Sequence, residues 1–173
     1  MKLIILPGNS KSNKEWVEGA KEAFATNFEE IYRQNYSHWD TRQDTIDLNT
    51  ELKRLVENIK NEDCVIFAKS AGAVLAVYGV YKNEIFPKKC VFIGFPVNWA
   101  KENNFPITKW LERCTIPTLI IQNSNDSVTS FNDLQNVFLK LKNNNVKLVQ
   151  IPGDDHQYTD FDLIKKEIGN FLD

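Results

Sequence analysis

Three residue types that together can activate a nucleophile occur along this chain in the order Ser70, Asp126 and His156. A neutral imidazole can take the proton of a serine hydroxyl, and a carboxylate can orient that imidazole and stabilise its charged form. Such a set performs acyl transfer, in which the hydroxyl oxygen attacks an ester-like carbonyl. The three residues are far apart in the sequence, so this chemistry requires a fold that brings them together.

Ser70 lies at the junction between a predicted strand and a predicted helix. Residues 64–68 form an apolar run typical of a buried strand, and residues Ala71–Tyr81 are typical of an apolar helix. A serine at such a junction, with a small residue two positions away on either side, has the spacing of a nucleophile elbow. The backbone N–H of Ala71 then lies at the helix N-terminus, where it favours a developing negative charge and predicts half of an oxyanion hole.

Asp126 and His156 also follow predicted strands. Residues 118–122 form an apolar run before the polar turn that contains Asp126, and residues 146–151 form the run before the turn with His156. The carboxyl ends of parallel strands meet at one edge of a sheet, where open α/β folds place their sites. We therefore expect the three side chains to lie close together, with the histidine ring within hydrogen-bond distance of both Ser70 and Asp126.

Other residues compete for the roles of acid and base. Asp154 and Asp155 immediately precede His156. Their short side chains would have to fold back around a turn to reach the far imidazole nitrogen, which favours Asp126 as the acid. His38 also follows a predicted strand and could approach the same edge of the sheet. It precedes the serine in the chain, however, and we expect it at the surface or at the rim of the site.

Strand and helix signals alternate along the chain. This alternation predicts an α/β fold with helices on both faces of a parallel sheet, and we expect one doubly wound, mostly parallel sheet of about six strands in a single domain over residues 1–173. The predicted strands are residues 3–6, 30–36, 64–68, 89–94, 118–122 and 146–151. The predicted helices are residues 14–27, 50–61 with Thr50 as N-cap, 71–81, 108–113, 130–142 with a cap near Ser130, and 160–172.

These motifs resemble the α/β-hydrolase superfamily, especially its small, lidless serine hydrolases of the retinoblastoma-binding-protein type, and the resemblance covers nearly all of the chain. The order Ser, Asp, His is the order of that superfamily. The resemblance implies catalytic roles for those three residues and a second oxyanion donor at the backbone N–H of Asn9, although Ser10 or Lys11 could occupy the same place. The motifs that carry it are Leu6-Pro7-Gly8-Asn9, Ala68-Lys69-Ser70-Ala71-Gly72, with alanine at position 68 in place of the commoner glycine, Asn125-Asp126 and Gly153-Asp154-Asp155-His156.

The segment between residues 94 and 117 bears on the range of substrates. Larger α/β-hydrolases insert a lid there, but this chain has room for only a loop and one short helix. We therefore expect no lid domain, and a shallow, wet site that holds a short acyl group. Aromatic residues that could wall such a pocket, or that could pack under a loop instead, are Trp39, Phe95, Trp99 and Trp110.

Composition narrows the classes of function. The chain has 173 residues, 42% hydrophobic and 25% charged, with a formal net charge of −2, which is typical of a soluble globular domain and offers no basic surface for nucleic acid. Its apolar N-terminal run is too short for a signal sequence, and no run could span a bilayer, so we expect a cytoplasmic protein with no membrane or nucleic-acid partner. Cys64, Cys90 and Cys114 lack the spacing of a metal site, so we expect no metal. Acyl transfer through a serine, a histidine and an aspartate requires no cofactor, so we expect none.

The sequence thus favours a carboxylesterase-like serine hydrolase that acts on small soluble acyl esters through an acyl-enzyme. The same machinery could hydrolyse a thioester or a peptide bond, because the chemistry at Ser70 is shared. A non-catalytic protein-binding module with this fold is the remaining alternative, since a fold alone does not establish an activity.

Overall fold

The computed structural model describes residues 1–60, 62–141 and 143–172, and its centre is one six-stranded sheet. The strands are β1 (Lys2–Leu6), β2 (Glu30–Arg33), β3 (Cys64–Lys69), β4 (Lys89–Ile93), β5 (Thr118–Asn123) and β6 (Val146–Ile151). Their order in the sheet is β2-β1-β3-β4-β5-β6. Every neighbouring pair is parallel, which confirms the predicted architecture.

Seven α-helices of the described residues cover the two faces of the sheet. They are α1 (Asn13–Phe24), α2 (Leu48–Ile59), α3 (Ala71–Tyr81), α4 (Val97–Glu102), α5 (Ile107–Glu112), α6 (Phe131–Leu141) and α7 (Phe161–Ile168). Helices α1 and α7 pack against one face, and α2 to α6 pack against the other, as the doubly wound prediction requires. None of these helices combines the length and the apolar character needed to cross a membrane.

The central strands are apolar on both sides because helices cover both faces of the sheet. Along β3, Ile66 and Ala68 belong to the core layer under α2 to α6, whereas Val65 and Phe67 belong to the layer under α1 and α7. All residues of β1, β3 and β5 are buried, while the edge strands β2 and β6 are partly exposed. The central strands therefore form a rigid support for the loops at their carboxyl ends.

The N-cap of α2 differs from the prediction. Asp47, rather than Thr50, caps this helix, because its carboxylate accepts the backbone N–H of Thr50 at 2.7 Å. The helix consequently begins at Leu48, earlier than predicted. At α6 the predicted cap is confirmed, since Ser130 Oγ accepts the backbone N–H of Asp133 at 3.2 Å.

Three elements end three or more residues earlier than predicted. The strand β2 ends at residue 33 instead of 36, α1 ends at residue 24 instead of 27, and α7 ends at residue 168, after which a 3-10 turn continues to residue 172. A tight turn follows α1, in which the N–H of Asn27 donates to the carbonyl of Phe24 at 3.0 Å. The predicted helix ends at residues 61 and 142 lie outside the described residues.

The segment between β4 and β5 contains two short helices where one was predicted. The helix α5 corresponds to the predicted helix at residues 108–113, whereas α4 was not predicted. Both helices have six residues, but the apolar residues Val97, Trp99 and Ala100 of α4 lack the i, i+3, i+4 spacing of Ile107, Trp110 and Leu111 in α5. The described part of this segment holds no further element, so the prediction of a chain without a separate lid domain is confirmed.

Gly72 brings two loops together at the carboxyl edge of the sheet. It lies in the first turn of α3, where a Cβ atom would meet the carbonyl oxygens of Leu6 and Pro7 at 2.5 and 2.6 Å. Only glycine allows this approach of backbone to backbone. The turn between β3 and α3 therefore lies directly beside the loop that follows β1.

Candidate active site

Ser70 has a strained backbone conformation at the junction of β3 and α3. Its φ of 51° and ψ of −120° fall in a region that non-glycine residues rarely adopt, at a cost of about 1–3 kcal/mol. Two hydrogen bonds fix the turn: the Ser70 N–H donates to the Ile93 carbonyl at 3.0 Å, and the Ser70 carbonyl accepts the N–H of Ala73 at 2.9 Å. The next residue, Ala71, is fully buried and begins α3, as the elbow prediction requires.

The ring of His156 bridges the serine and the acid. Its Nε2 lies 2.9 Å from Ser70 Oγ, and its Nδ1 lies 2.8 Å from Asp126 Oδ2. Because an ionised carboxylate only accepts hydrogen bonds, Nδ1 carries the ring proton and Nε2 is free to accept the hydroxyl proton of Ser70. The structure thus brings the three predicted residues into one hydrogen-bonded chain.

The competing acids and the second histidine lie elsewhere. The Asp155 carboxylate accepts the backbone N–H of Gln157 at 2.7 Å, and Asp154 is exposed. His38 is only 5% exposed, so its predicted position at the surface or rim was wrong. It is buried because the chain after β2 folds beneath the loop after β1, where the His38 ring stacks on Tyr36 at 5.8 Å between centroids.

The Asp126 carboxylate is almost fully buried and accepts four hydrogen bonds. Its Oδ1 accepts the backbone N–H groups of Val128 at 2.8 Å and Thr129 at 3.1 Å. Its Oδ2 accepts the Tyr158 hydroxyl at 2.5 Å as well as the His156 ring. Burial alone would raise the pKa of Asp126, but these hydrogen bonds outweigh burial and hold the pKa below its ordinary value. The carboxylate is therefore ionised at neutral pH and fixed in orientation.

Tyr158 is a part of this site that sequence reasoning missed. Besides donating to Asp126, its hydroxyl accepts the backbone N–H of Asn123 at 2.9 Å, and its carbonyl accepts Nε1–H of Trp16 at 2.9 Å. Its φ of 55° is unusual for a bulky residue. Burial, together with the Asp126 carboxylate, raises the pKa of Tyr158, so the hydroxyl keeps its proton. A tyrosine two positions after a histidine has no distinctive pattern, and in sequence it is typical of core packing.

We expect Tyr158→Phe to lower the free energy of unfolding by about 1.5–3 kcal/mol, because a hydrogen bond to a charged, buried group is lost. Urea unfolding of the variant and of the wild type measures this difference. Tyr78→Phe is the matched control, since the Tyr78 hydroxyl donates to the neutral side chain of Asn49 at an exposed site; we expect a loss of about 1 kcal/mol or less there. Equal losses in the two variants would contradict a special role for Tyr158.

Asn9, the predicted second oxyanion donor, is held by four hydrogen bonds to residues 38–46. Its side-chain Nδ2 donates to the carbonyl of Asp44 at 2.7 Å, and its Oδ1 accepts the N–H of Ile46 at 2.9 Å. Its backbone carbonyl lies 2.9 Å from His38 Nε2 and accepts Nε1–H of Trp39 at 2.7 Å. The loop after β1 is therefore fixed beside Ser70, as preorganised oxyanion donors require.

Of the four aromatic residues predicted to wall a pocket, the structure places Trp99 at the cavity over Ser70. The predictions for the other three were wrong, because Trp39, Phe95 and Trp110 are 7%, 0% and 6% exposed and belong to the hydrophobic core. Large rings bury more apolar area in the core than at the rim of a site. The indole N–H of Trp39 remains satisfied there through its bond to the Asn9 carbonyl.

The cavity over Ser70 has a volume of about 240 Å³, which is small for a ligand site. Trp99 and Val128 supply apolar surface, and most of the other lining residues have polar side chains. Lys69 also lines this cavity. Sequence reasoning assigned it no role, although a lysine at the end of a buried strand is unusual and could have indicated a functional residue. The lining residues are Gly8, Asn9, Ser10, Ser12, Asn13, Lys69, Ser70, Trp99, Val128, His156 and Gln157.

Known proteins provide an independent comparison. Est1E from Butyrivibrio proteoclasticus with ferulic acid bound superposes with a TM-score of 0.75 at 15% identity, covering 99% of this chain and 87% of that one. The esterase domain of a Rhodothermus marinus protein gives 0.71 at 13% identity, covering 99% and 84%. Mouse alpha/beta hydrolase domain-containing protein 10 gives 0.70 at 14% identity, covering 99% and 89%. At these identities the likeness shows the fold alone.

Sequence comparison gives the family. No curated protein sequence matches the chain. A family model described as an alpha/beta hydrolase domain, however, matches residues 10–167, which is most of the chain and contains all three residues of the hydrogen-bonded chain. The protein therefore belongs to the alpha/beta hydrolase family.

Proposed function

We propose that this protein is a serine hydrolase of the carboxylesterase type that cleaves small acyl esters. The observation that carries the proposal is the continuous path of hydrogen bonds from Asp126 through His156 to Ser70, at 2.8 and 2.9 Å. The strained turn at Ser70 and the firmly held Asn9 support it further. Est1E with its bound ferulic acid and the Rhodothermus marinus esterase domain favour an ester substrate, by analogy of fold.

In the first half of the reaction, Nε2 of neutral His156 takes the hydroxyl proton while Ser70 Oγ attacks the ester carbonyl carbon. Asp126 holds the ring through Nδ1–H and stabilises the imidazolium that forms. The backbone N–H groups of Ala71 and Asn9 stabilise the negative oxygen of the tetrahedral intermediate. His156 then gives its proton to the leaving alcohol, and the acyl group remains on Ser70.

In the second half, water replaces the alcohol. His156 takes a proton from the water as its oxygen attacks the acyl-enzyme carbonyl, and the second tetrahedral intermediate forms in the same oxyanion site. The intermediate collapses to the free acid, and the proton on His156 returns to Ser70 Oγ. Water is the co-substrate, and the net reaction is hydrolysis of the ester.

The cavity favours a short acyl chain. Each methylene that contacts the apolar surface of Trp99 and Val128 gains up to about 0.8 kcal/mol, which is roughly a fourfold rate advantage in kcat/KM. A longer chain extends beyond the cavity of about 240 Å³ into water and gains little. The substrates should therefore be esters of short acids.

A series of 4-nitrophenyl esters of increasing acyl length tests this proposal. We expect kcat/KM to rise from the acetate to about the butyrate and then to level off or fall. Trp99→Ala should lower the ratio of butyrate to acetate turnover, because it removes part of the apolar wall. Trp110→Phe is the matched control, since Trp110 lies in the core and its substitution should leave that ratio unchanged.

Labelling with a fluorophosphonate separates a serine hydrolase from a non-catalytic module, and comparison of substrates separates an esterase from a thioesterase. We expect covalent labelling of the folded protein at Ser70. Absence of both labelling and ester turnover would favour the protein-binding module, and faster cleavage of a thioester than of the matched oxygen ester would favour a thioesterase. A steady, tenfold-scale rise of kcat/KM out to long-chain esters would contradict the short-acyl proposal.

A further inference from the structure

Lys69 is a buried cation beside the candidate nucleophile. Its exposed fraction is 4%, and its ammonium donates to Asn13 Oδ1 at 2.9 Å and lies 5.7 Å from the ring centroid of Trp16. Within the described part of the chain it makes no ion pair and has this one hydrogen bond, although an ammonium carries three donors. Two donors of this buried charge thus have no partner among the described residues.

A buried ammonium with unpaired donors lowers the stability of the folded protein unless another interaction compensates for it. Burial of a charge without a counter-ion disfavours the charged form, and burial lowers the pKa of Lys69 to about 8, against the opposing effect of the carboxylates of Asp126 and Asp155. The amine is still mostly protonated at neutral pH. An anion that contacted Lys69 would complete its hydrogen bonds and stabilise its charge.

The cavity over Ser70 is where such an anion would bind. Lys69 lines this cavity, and no aspartate or glutamate is present among the described residues that line it. Ser10 and Ser12 also line the cavity; their hydroxyls are hydrogen-bonded to each other at 2.9 Å, which leaves one O–H free as a further donor. Trp99 supplies the apolar part of the wall. The cavity therefore combines apolar surface with a cationic, donor-rich part that has no negative charge of its own.

We infer that the ester cleaved at Ser70 carries a carboxylate, which Lys69 binds in this cavity. The inference rests on the proposed function, because it names the class of ester within it. The carboxylate belongs either to the acyl part or to the alcohol part of the ester, and the test includes both. The hydroxyl of the Ser10–Ser12 pair whose proton is not used between them donates a further hydrogen bond to the same group.

A purely structural role for Lys69 is the competing explanation. Asn13, which accepts from Lys69, also donates through Nδ2 to the carbonyl of Ser10 at 2.9 Å, and it lies so close to Gly8 that a Cβ there would meet its amide at 2.9 Å. Lys69 could thus act only by holding the loop after β1. Loss of that support would slow the hydrolysis of neutral and anionic esters by the same factor. Loss of a contact to the carboxylate would slow the hydrolysis of the anionic esters selectively.

Matched pairs of esters separate the two explanations. For the acyl side, the pair is the 4-nitrophenyl monoester of glutaric acid and its methyl-capped diester; for the alcohol side, it is 4-acetoxybenzoate and its methyl ester. We expect wild-type kcat/KM to favour the anionic member of at least one pair by roughly tenfold or more, the size of effect that a charge-assisted hydrogen bond supports. In Lys69→Met this ratio should fall towards one.

Lys14→Met is the matched control, since it removes an exposed cation next to Asn13 that does not line the cavity, and it should keep the wild-type ratio. Equal turnover of both members of each pair by the wild type would overturn the inference, as would an unchanged preference in Lys69→Met. Failure of the wild type to cleave any of these esters, anionic or neutral, would instead count against the proposed function.

A second measurement needs neither activity nor a stable variant. Glutarate should raise the Tm of the wild type above that in sodium chloride of equal ionic strength, and dimethyl glutarate should not, because a ligand that binds only the native state stabilises it. If Lys69→Met folds, the rise should be absent from it. Equal Tm values with glutarate and with sodium chloride would contradict the binding of a carboxylate here.

Discussion

Ser70→Ala is expected to lower kcat/KM for short acyl esters by a factor on the order of 10⁴ or more, as loss of a serine nucleophile does in such triads. The hydroxyl oxygen is the atom that attacks the carbonyl, so the variant can form no acyl-enzyme. Alanine at φ 51° carries the same Cβ as serine, so the substitution leaves the backbone strain unchanged. We therefore expect a folded variant, with a Tm near that of the wild type, that a fluorophosphonate does not label.

Ser127→Ala is the matched control for this experiment. Ser127 is exposed and lies next to Asp126 in the loop after β5, and its substitution should leave both turnover and labelling at wild-type levels. Ester turnover near the wild-type rate by folded Ser70→Ala would remove the serine from the mechanism. A comparable loss in Ser127→Ala would point to disturbance of the loop instead of the loss of a nucleophile.

Much of the fold can be predicted because its signals are local. The central strands β1, β3 and β5 are runs of five or six residues that are buried throughout, so their apolar composition identifies them without knowledge of the rest of the chain. The edge strand β2 is partly exposed and four residues long, and its predicted end was wrong. The helix α4 was missed because its apolar residues lack the i, i+3, i+4 spacing that α5, a helix of the same length, has.

The arrangement of the candidate site depends on topology. Ser70, Asp126 and His156 each lie just after a strand, and parallel strands place the residues after their carboxyl ends at one edge of the sheet. Ser70 and His156 are 86 residues apart in the chain, yet their side chains lie 2.9 Å apart. A prediction of parallel strands was therefore enough to bring these residues together before any side-chain packing was known.

Side-chain contacts between distant elements could not be predicted. Tyr158 depends on Trp16, 142 residues earlier, and on Asp126, 32 residues earlier. Lys69 depends on Asn13, 56 residues earlier. Whether an aromatic ring such as Trp39 faces a cavity or the core depends on the partners that surround it in three dimensions, and a single sequence does not specify them. The missed residues are thus those whose roles arise from packing.

Asp126→Asn is expected to lower kcat/KM for short acyl esters by a factor of roughly 10³–10⁴, as substitution of the triad aspartate by asparagine does elsewhere. The asparagine oxygen would keep the hydrogen bonds from the N–H groups of Val128 and Thr129, which Asp126 Oδ1 accepts now. Its amide NH₂ would then occupy the place of Oδ2 and donate to Nδ1 of His156. The ring proton would move to Nε2, facing Ser70, and the ring could no longer accept the hydroxyl proton.

The neighbouring aspartates provide the control that makes this experiment decisive. Asp154→Asn alters an exposed carboxylate two positions before His156, and Asp155→Asn alters one that accepts the N–H of Gln157; we expect both to keep activity within a few-fold of the wild type. Urea unfolding of all three variants separates loss of catalysis from loss of structure, because Asp126→Asn also weakens the buried bond from Tyr158. A large loss of activity in Asp154→Asn or Asp155→Asn, with Asp126→Asn nearly unaffected, would assign the acid to the loop that carries the histidine. The 2.8 Å contact between Asp126 and His156 would then not be the one used in catalysis.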